Sequence, residues 1–212
     1  MASPLKNSTT PIHRLQEVTG VILAGGKSTR YGSNKAFACI DGVPLIERVI
    51  QVMGAVFENM LLITNTAEEY AHLGLPMKGD LIKGLGPMGG VYTGLKSISG
   101  ESGFFVACDM PYLNAALIRR ILEMRGDSDA VVPRLGAMVE PLHALYTKGC
   151  IGAIEELIRA GDRQILRFFA RVRVQYVDEE VLRAFDRDLR FLANVNRPQD
   201  LPPTGRGGGP VS

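Results

Sequence analysis

Cysteine is scarce in this chain: Cys39, Cys108 and Cys150 are the three, and no Cys-x-x-Cys pair occurs. An odd number without paired spacing argues against a disulfide framework and against a zinc site, and it fits a reducing cytoplasm. An excess of charge of one sign is also missing. The formal net charge is +2 and charged residues make up 22%, so there is no polybasic field of the kind that holds nucleic acid. No apolar run reaches the roughly 18 residues that a membrane span requires. Residues Met1 to Glu17 carry Pro4 and Pro11 among polar side chains instead of an apolar signal core. The expectation is a soluble, cytoplasmic protein with no membrane and no nucleic-acid partner.

Both ends are biased toward residues that build no core. Residues 1–17 are expected to form a flexible N-terminal tail and residues 202–212 a disordered C-terminal tail. Between them, residues 18–201 suit one α/β domain, large enough to bury a core without staples.

What is present is concentrated in one stretch, Val18 to Lys35. Val21-Ile22-Leu23-Ala24 is short and wholly apolar, the pattern of a strand buried on both faces. It stops at Gly25-Gly26, and Lys27, Arg30 and Lys35 follow with no acid among them. Glycines permit φ > 0 and let a ligand come up against backbone N–H groups, and the cations complete a place for a triphosphate. Two familiar phosphate loops fail on spacing. A P-loop requires Gly-x-x-x-x-Gly-Lys-Ser/Thr, but Gly32 is followed by Ser33 and the lysine comes only at Lys35. The dinucleotide fingerprint Gly-x-Gly-x-x-Gly is absent from this loop. What remains is Gly-Gly-x-Ser-x-Arg-x-Gly-x-x-Lys, from Gly25 to Lys35, preceded by Leu23-Ala24.

That pattern resembles the signature of nucleotidyltransferases that activate a phosphorylated acceptor with an NTP, and its Leu-Ala-Gly-Gly opening is most similar to the molybdenum cofactor guanylyltransferases, the MobA family. The resemblance implies an α/β, single-domain, three-layer Rossmann-like nucleotidyltransferase fold with a mostly parallel sheet. It implies GTP and molybdopterin cofactor as substrates, Mg²⁺ as cofactor, and molybdoenzymes or their chaperones as recipients of the product. It also implies that the backbone at Leu23-Ala24-Gly25 reads guanine, whereas related cytidylyltransferases carry a different Gly/Ala arrangement. Sugar-1-phosphate nucleotidyltransferases share the Gly25-to-Lys35 pattern and remain an enzyme alternative. A nucleotide-binding chaperone is the non-enzymatic alternative, and its mark would be loss of the loop lysine or of the metal acid.

Along the chain, Phe37 to Ile40 reads as a strand, Asp41-Gly42 as a turn, and Pro44 to about Phe57 as a helix with a buried stripe from Leu45 to Val56. Met60 to Thr64 is another apolar strand. Asn65 at its end either caps a helix starting at Ala67 or, as the resemblance implies, contacts the nucleotide. Asp80 is either a turn residue or the family's nucleotide-contacting aspartate. Gly84 to Gly90 stands where the family has Gly-Pro-Leu-Ala-Gly, and it opens a helix expected from about Val91 to Ile98.

Phe104-Phe105-Val106-Ala107-Cys108-Asp109-Met110-Pro111 is the second strong signal. A buried run ends in one carboxylate, and Pro111 cannot continue a ladder, which leaves Asp109 at the strand's carboxyl end. Mg²⁺ suits such an acid, being usually held by one or two carboxylates together with substrate phosphates. Cys-Asp-Met-Pro also resembles the family's metal-binding Cys-Asp-x-Pro. The other reading of Asp109 is a cap for the helix starting near Asn114. Cys108 reads as a small strand-end residue, with no histidine near it in sequence.

Leu117 to Leu122 mark that helix and Asp129 to Pro133 the next strand. Met138 to Tyr146, broken by Pro141, resembles the family segment bordering the acceptor pocket. His143 within it either steadies a phosphate or pterin, or is a core residue. Helices are expected at Cys150 to Ala160 and at Gln164 to Phe169, the second capped by Asp162, and a strand at Val172 to Val177. Arg163, Arg167, Arg171 and Arg173 form either a solvated face or a contact for the anionic acceptor. Asn194 to Leu201 resembles the family's closing Asn-Val-Asn-Thr-Pro-Glu-Asp-Leu, which makes Asn194 and Asn196 acceptor-site candidates. The resemblance thus implies Lys35, Arg30 and Asp109 as catalytic residues, Asp109 as the metal ligand, and Leu23, Ala24, Gly25, Gly26, Lys27, Lys35, Asn65, Asp80 and Asp109 as nucleotide-binding residues.

Overall fold

The computed structural model describes residues 18–25 and 34–195. Both expected tails lie outside them. The described residues form ten strands: β1 (Val18–Leu23), β2 (Cys39–Ile40), β3 (Val43–Pro44), β4 (Met60–Ile63), β5 (Met77–Lys78), β6 (Ser102–Ala107), β7 (Ala130–Leu135), β8 (Met138–Val139), β9 (His143–Thr147) and β10 (Val174–Asp178). Among the described residues, eight build one sheet in the order β10-β7-β9-β6-β1-β4-β5, with β8 on β7, while β2 and β3 make a small hairpin. Most partners run parallel; β9 is antiparallel to both β6 and β7, and β8 to β7.

β1 and β6 are buried along their whole length, as two-sided burial in a parallel sheet demands. Alternation then splits the core into two layers. Ile22, Phe104 and Val106 face one side, against α1 (Leu45–Gly54), α4 (Ala115–Glu123) and α6 (Glu179–Phe185). Val21, Leu23 and Phe105 face the other, against α3 (Pro87–Ser97) and α5 (Cys150–Arg159). A short helix, α2 (Ala67–Tyr70), follows β4. The result is the expected three-layer α/β architecture.

Several local expectations are corrected. The strand expected over Phe37 to Ile40 is confined to Cys39–Ile40, because Phe37 closes a turn of 3-10 helix, Lys35–Phe37, that the Asn34 side chain caps. Asp41 and Gly42 both take positive φ, 51° and 77°, which confines the following strand to the β2–β3 hairpin. α1 stops at Gly54, short of Phe57, and Phe57 turns in to stack on Phe104 at 5.8 Å. α3 begins at Pro87 rather than Val91: Gly86, at φ 59° and ψ −144°, serves as its N-cap and Pro87 supplies the first turn. Ile165–Arg171 winds as 3-10 helix, with Phe168 and Phe169 both packed on Tyr146. α6 was not anticipated.

The contact between α3 and the sheet leaves no room at Gly94. A Cβ there would overlap Phe105 Cε1, lie 2.9 Å from Cζ of the same ring and 3.1 Å from Val21 Cγ1. Helix propensity alone favours alanine over glycine by about 1 kcal/mol. Gly94→Ala is nevertheless expected to destabilise the fold, by about 1–3 kcal/mol, because overpacking at a buried helix–sheet contact outweighs propensity. Urea unfolding measures the difference.

His143 belongs to this core and not to a ligand site, which corrects its reading as an acceptor contact. It lies on β9 paired with Val106 and is fully buried. Its ring meets Phe104 edge-on at 5.2 Å and Phe191 at 4.8 Å, and neither ring nitrogen has a hydrogen-bond partner among the described residues. Burial depresses its pKa from 6.5 to about 3. Between those values the unfolded chain binds a proton that the folded chain does not. Stability therefore falls as pH drops through that window, with a slope of up to ~1.4 kcal/mol per pH unit. His143→Leu should flatten the dependence between pH 4 and 6 in denaturant unfolding, whereas an unchanged slope would show that the ring is charged or hydrated in the fold.

Candidate active site

β1 lies between β4 and β6, parallel to both, and Leu23 is in register with Ile63 and with Ala107. Three carboxyl ends therefore stop at one level, at the point where the strand order reverses, and open α/β sheets bind ligands in that crevice. A pocket of about 1040 Å³ opens there. Its wall includes Leu23, Ala24, Gly25, Lys35, Asn65, Asp80, Asp109 and Asn194, which were all singled out from sequence. Gly26, Lys27, Arg30 and Asn196 lie outside the described residues.

Gly25 does not use left-handed backbone, and among the described residues an added Cβ would meet nothing within 4 Å. Its value lies in the open face it gives the pocket, not in a turn it permits. The glycines that do need positive φ are Gly84 and Gly86, at 82° and 59°. They bring the first turn of α3 to the pocket, and Gly90 seats that turn on Leu23, whose Cδ atoms would lie 3.0 Å from an added Cβ. The positive end of an eleven-residue helix thus faces the cavity. The spacing Gly84-x-Gly86-x-x-Gly89 was the available signal for this helix start, and it reproduces the Gly-x-Gly-x-x-Gly pattern that the first loop lacks.

Asn65 and Asp80 form a reciprocal pair across the ends of β4 and β5. The Asn65 amide donates to Asp80 Oδ2 at 2.8 Å, and the Asp80 backbone N–H donates to Asn65 Oδ1 at 3.0 Å. Asn65 is therefore no helix cap; Thr66 holds the N-cap position of α2.

Asp109 follows β6 by two residues and is 6% exposed. Its carboxylate forms an ion pair with the Lys35 ammonium, contributed from far earlier in the chain. Asn114, not Asp109, caps α4, accepting from the N–H groups of Ala116 and Leu117. The Asp109 carbonyl accepts from Val195 N at 3.0 Å, which sets Asn194 at the rim. Glu140 was missed by the sequence reading. Burial pushes its carboxyl up, with the negative charge of Asp109 adding to the shift.

Other candidates are silent. Burial pushes the Cys108 thiol up to about 12, and the Asp109 charge adds to this, so it is protonated and not a nucleophile at neutral pH. None of the four arginines of the later half lines the pocket. Arg167, Arg171 and Arg173 pair with Asp162, Glu156 and Asp129 on the surface, which corrects the idea of an acceptor contact in favour of a solvated, neutralised face.

The model of the MobA-like NTP transferase domain matches residues 20–178 of this chain. The chain is 42% identical over 186 residues to the probable molybdenum cofactor guanylyltransferase of Pelotomaculum thermopropionicum, covering 87% of this chain and 90% of that protein. It is 36% identical over 189 residues to the molybdenum cofactor guanylyltransferase of Desulfosudis oleivorans, covering 88% and 94%. The crystal structure of molybdopterin-guanine dinucleotide biosynthesis protein A from Archaeoglobus fulgidus superposes with a TM-score of 0.75 at 27% identity, covering 86% of this chain and 94% of that one. The match runs from within β1 to the last residue of β10 and takes in the pocket built on their sheet, and the chain belongs to the family of MobA-like NTP transferase domains.

Proposed function

We propose that the protein transfers GMP from GTP to the terminal phosphate of molybdopterin cofactor, giving the guanine dinucleotide form and pyrophosphate. The observation that carries this reading is the Lys35–Asp109 ion pair in the pocket wall, where one carboxylate and one ammonium meet in the same pocket as Gly25. The relatives named for this reaction cover nearly the whole chain.

The acceptor's phosphate oxygen is already a competent nucleophile, and no protein base has to create one. The pocket's work is positioning and charge stabilisation. Lys35 meets the phosphate charge, helped by the positive end of α3, and Lys27, Arg30 and the Gly26 amide are expected to join it. The ends of β1, β4 and β5, with Leu23-Ala24-Gly25 and the Asn65–Asp80 pair, orient the base and ribose. Asn194 borders the acceptor side.

The donor set suits Mg²⁺. A desolvated carboxylate already facing a cation, with the Asn194 amide at the rim, offers hard oxygen ligands. Asp109 would hold the ion. Bound there, it would neutralise charge shared by the acceptor and α-phosphate oxygens. Among the described residues no helix is long and apolar enough to cross a membrane, and all three cysteines are free thiols, which agrees with a cytoplasmic site of action.

Lys35→Ala and Asp109→Ala are each expected to lower kcat by about a hundredfold or more, the scale for losing one preorganised charge-stabilising group. Near-normal pyrophosphate release by either variant would sink the mechanism. Asp80→Ala is expected to act differently, raising KM for GTP by about tenfold while kcat changes less, since it removes a contact common to ground and transition states. The decisive assay supplies GTP, CTP, ATP and UTP separately, each with molybdopterin cofactor and with a sugar-1-phosphate. Release with GTP and the pterin is expected; release with CTP and the pterin would move the error to base selection, and release with the sugar phosphate alone would overturn the acceptor.

A further inference from the structure

Lys35 reaches Asp109 from a turn of three residues, too short to hold its own place. The residues on either side of it are anchored to one point. Asn34 donates from Nδ2 to Glu69 Oε2 at 2.7 Å and to the Tyr70 hydroxyl oxygen at 2.8 Å, while its Oδ1 accepts from Ala36 N at 3.1 Å. Phe37 lies on the Tyr70 ring, with centroids 5.1 Å apart. Tyr70 is itself buried at the end of α2. Lys35 is thus bracketed by two contacts to the helix that follows β4.

The geometry points to Asn34, Glu69 and Tyr70 as a positioning clamp that sets the Lys35 ammonium for the phosphates. This rests on the phosphate role proposed for Lys35. Capping alone does not call for an amide at this position, because aspartate caps as well as asparagine does. The bond donated to Glu69 does call for one, since a carboxylate has no N–H to give, whereas the Tyr70 hydroxyl can turn and donate instead. Asn34→Asp is therefore a near-isosteric probe that keeps the cap and removes the bond to Glu69. It also sets a second carboxylate against Glu69, and like charges at that range raise the pKa of one of them. A proton shared between the two would restore a hydrogen bond, so the defect shrinks as pH falls. Adding Glu69→Gln restores the bond with its direction reversed, the new amide donating to the carboxylate that the first substitution introduces. Among the described residues, the other ionisable groups facing this corner are the Tyr70 phenol, pushed up to about 12 by burial, His72 against Phe37, Cys108, and the Lys35–Asp109 pair. All of these are common to every variant and cancel in ratios to the wild type.

The experiment compares the full-length wild type, N34D and N34D/E69Q from pH 5.5 to 8.5 at low salt, where charge repulsion is least screened. Two readouts are used: pyrophosphate release with GTP and molybdopterin, and GTP binding by calorimetry without acceptor. N34D is expected to lose about tenfold or more in kcat/KM at pH 8, with the ratio to wild type recovering toward acid, and its melting temperature should stay close to wild type because the cap survives. The double variant is expected to return to within about twofold of wild type with a flat pH ratio. N34D equal to wild type at every pH, or a double variant as defective as N34D, would overturn the clamp. A wild type that binds GTP without transferring GMP would refute the proposed reaction while leaving the clamp to be judged on GTP affinity, where the same order of variants is expected. Failure of the wild type to bind GTP would overturn both.

Discussion

Leu23 pairs with Ile63 on one side and Ala107 on the other, and this double register is the constraint on which the pocket depends. The ladder continues one step further, with Ala24 N donating to Ile63 O and Cys108 N to Leu23 O. The next residues along, Gly25, Asn65 and Asp109, therefore arrive at the same edge without any loop having to carry them there. A one-residue slip of either neighbour would turn its whole side-chain set over, exchanging the two core layers, so the buried alternation of Val21, Ile22 and Leu23 protects the level of the edge. Site geometry and core packing are one constraint here.

On that edge the electrostatics are economical. Asp109 is held nearly out of water, which is costly for a carboxylate unless a cation answers it. Lys35 does so, and the same two charges are then in place for phosphate oxygens and a metal ion. Groups that would complicate the chemistry are kept out of it by burial or by pairing. The Cys108 thiol stays protonated, the His143 ring sits between Phe104 and Phe191, and the later arginines are matched with acids at the surface. Asp109 and Asn65, each with a second reading as a helix cap, are both released from it because Asn114 and Thr66 occupy those cap positions.

Much of this was legible in the residues. The apolar run from Val21 to Ala24 and the run ending at Asp109 announce two buried strands, and the three-layer fold follows from strands alternating with amphipathic segments. Boundaries were less legible. α1 ends at Gly54 because Phe57 is needed under the sheet, and α3 starts at Pro87 because Gly86 adopts a backbone that only glycine takes readily. Periodicity reports which face a residue occupies but not where a tertiary contact stops the helix.

The sequence by itself determined the chemistry available: the glycine pair after the first apolar run, the loop lysine, an acid at a strand end, and the polar residues Asn65, Asp80 and Asn194. Their side chains are polar or glycyl where the surrounding run is apolar, and that contrast is local. Only the tertiary structure decided which of them meet. Lys35 pairs with Asp109, Asn65 with Asp80, and Asn34 with Glu69 and Tyr70, each across a crossover or connection whose intervening residues carry no record of the partner. His143 shows the same division from the other side: its sequence context allowed a ligand or a core residue, and the pairing of β9 with β6 put it against Val106, inside. Strand order and register set these distances, and they are properties of the whole sheet rather than of any segment within it.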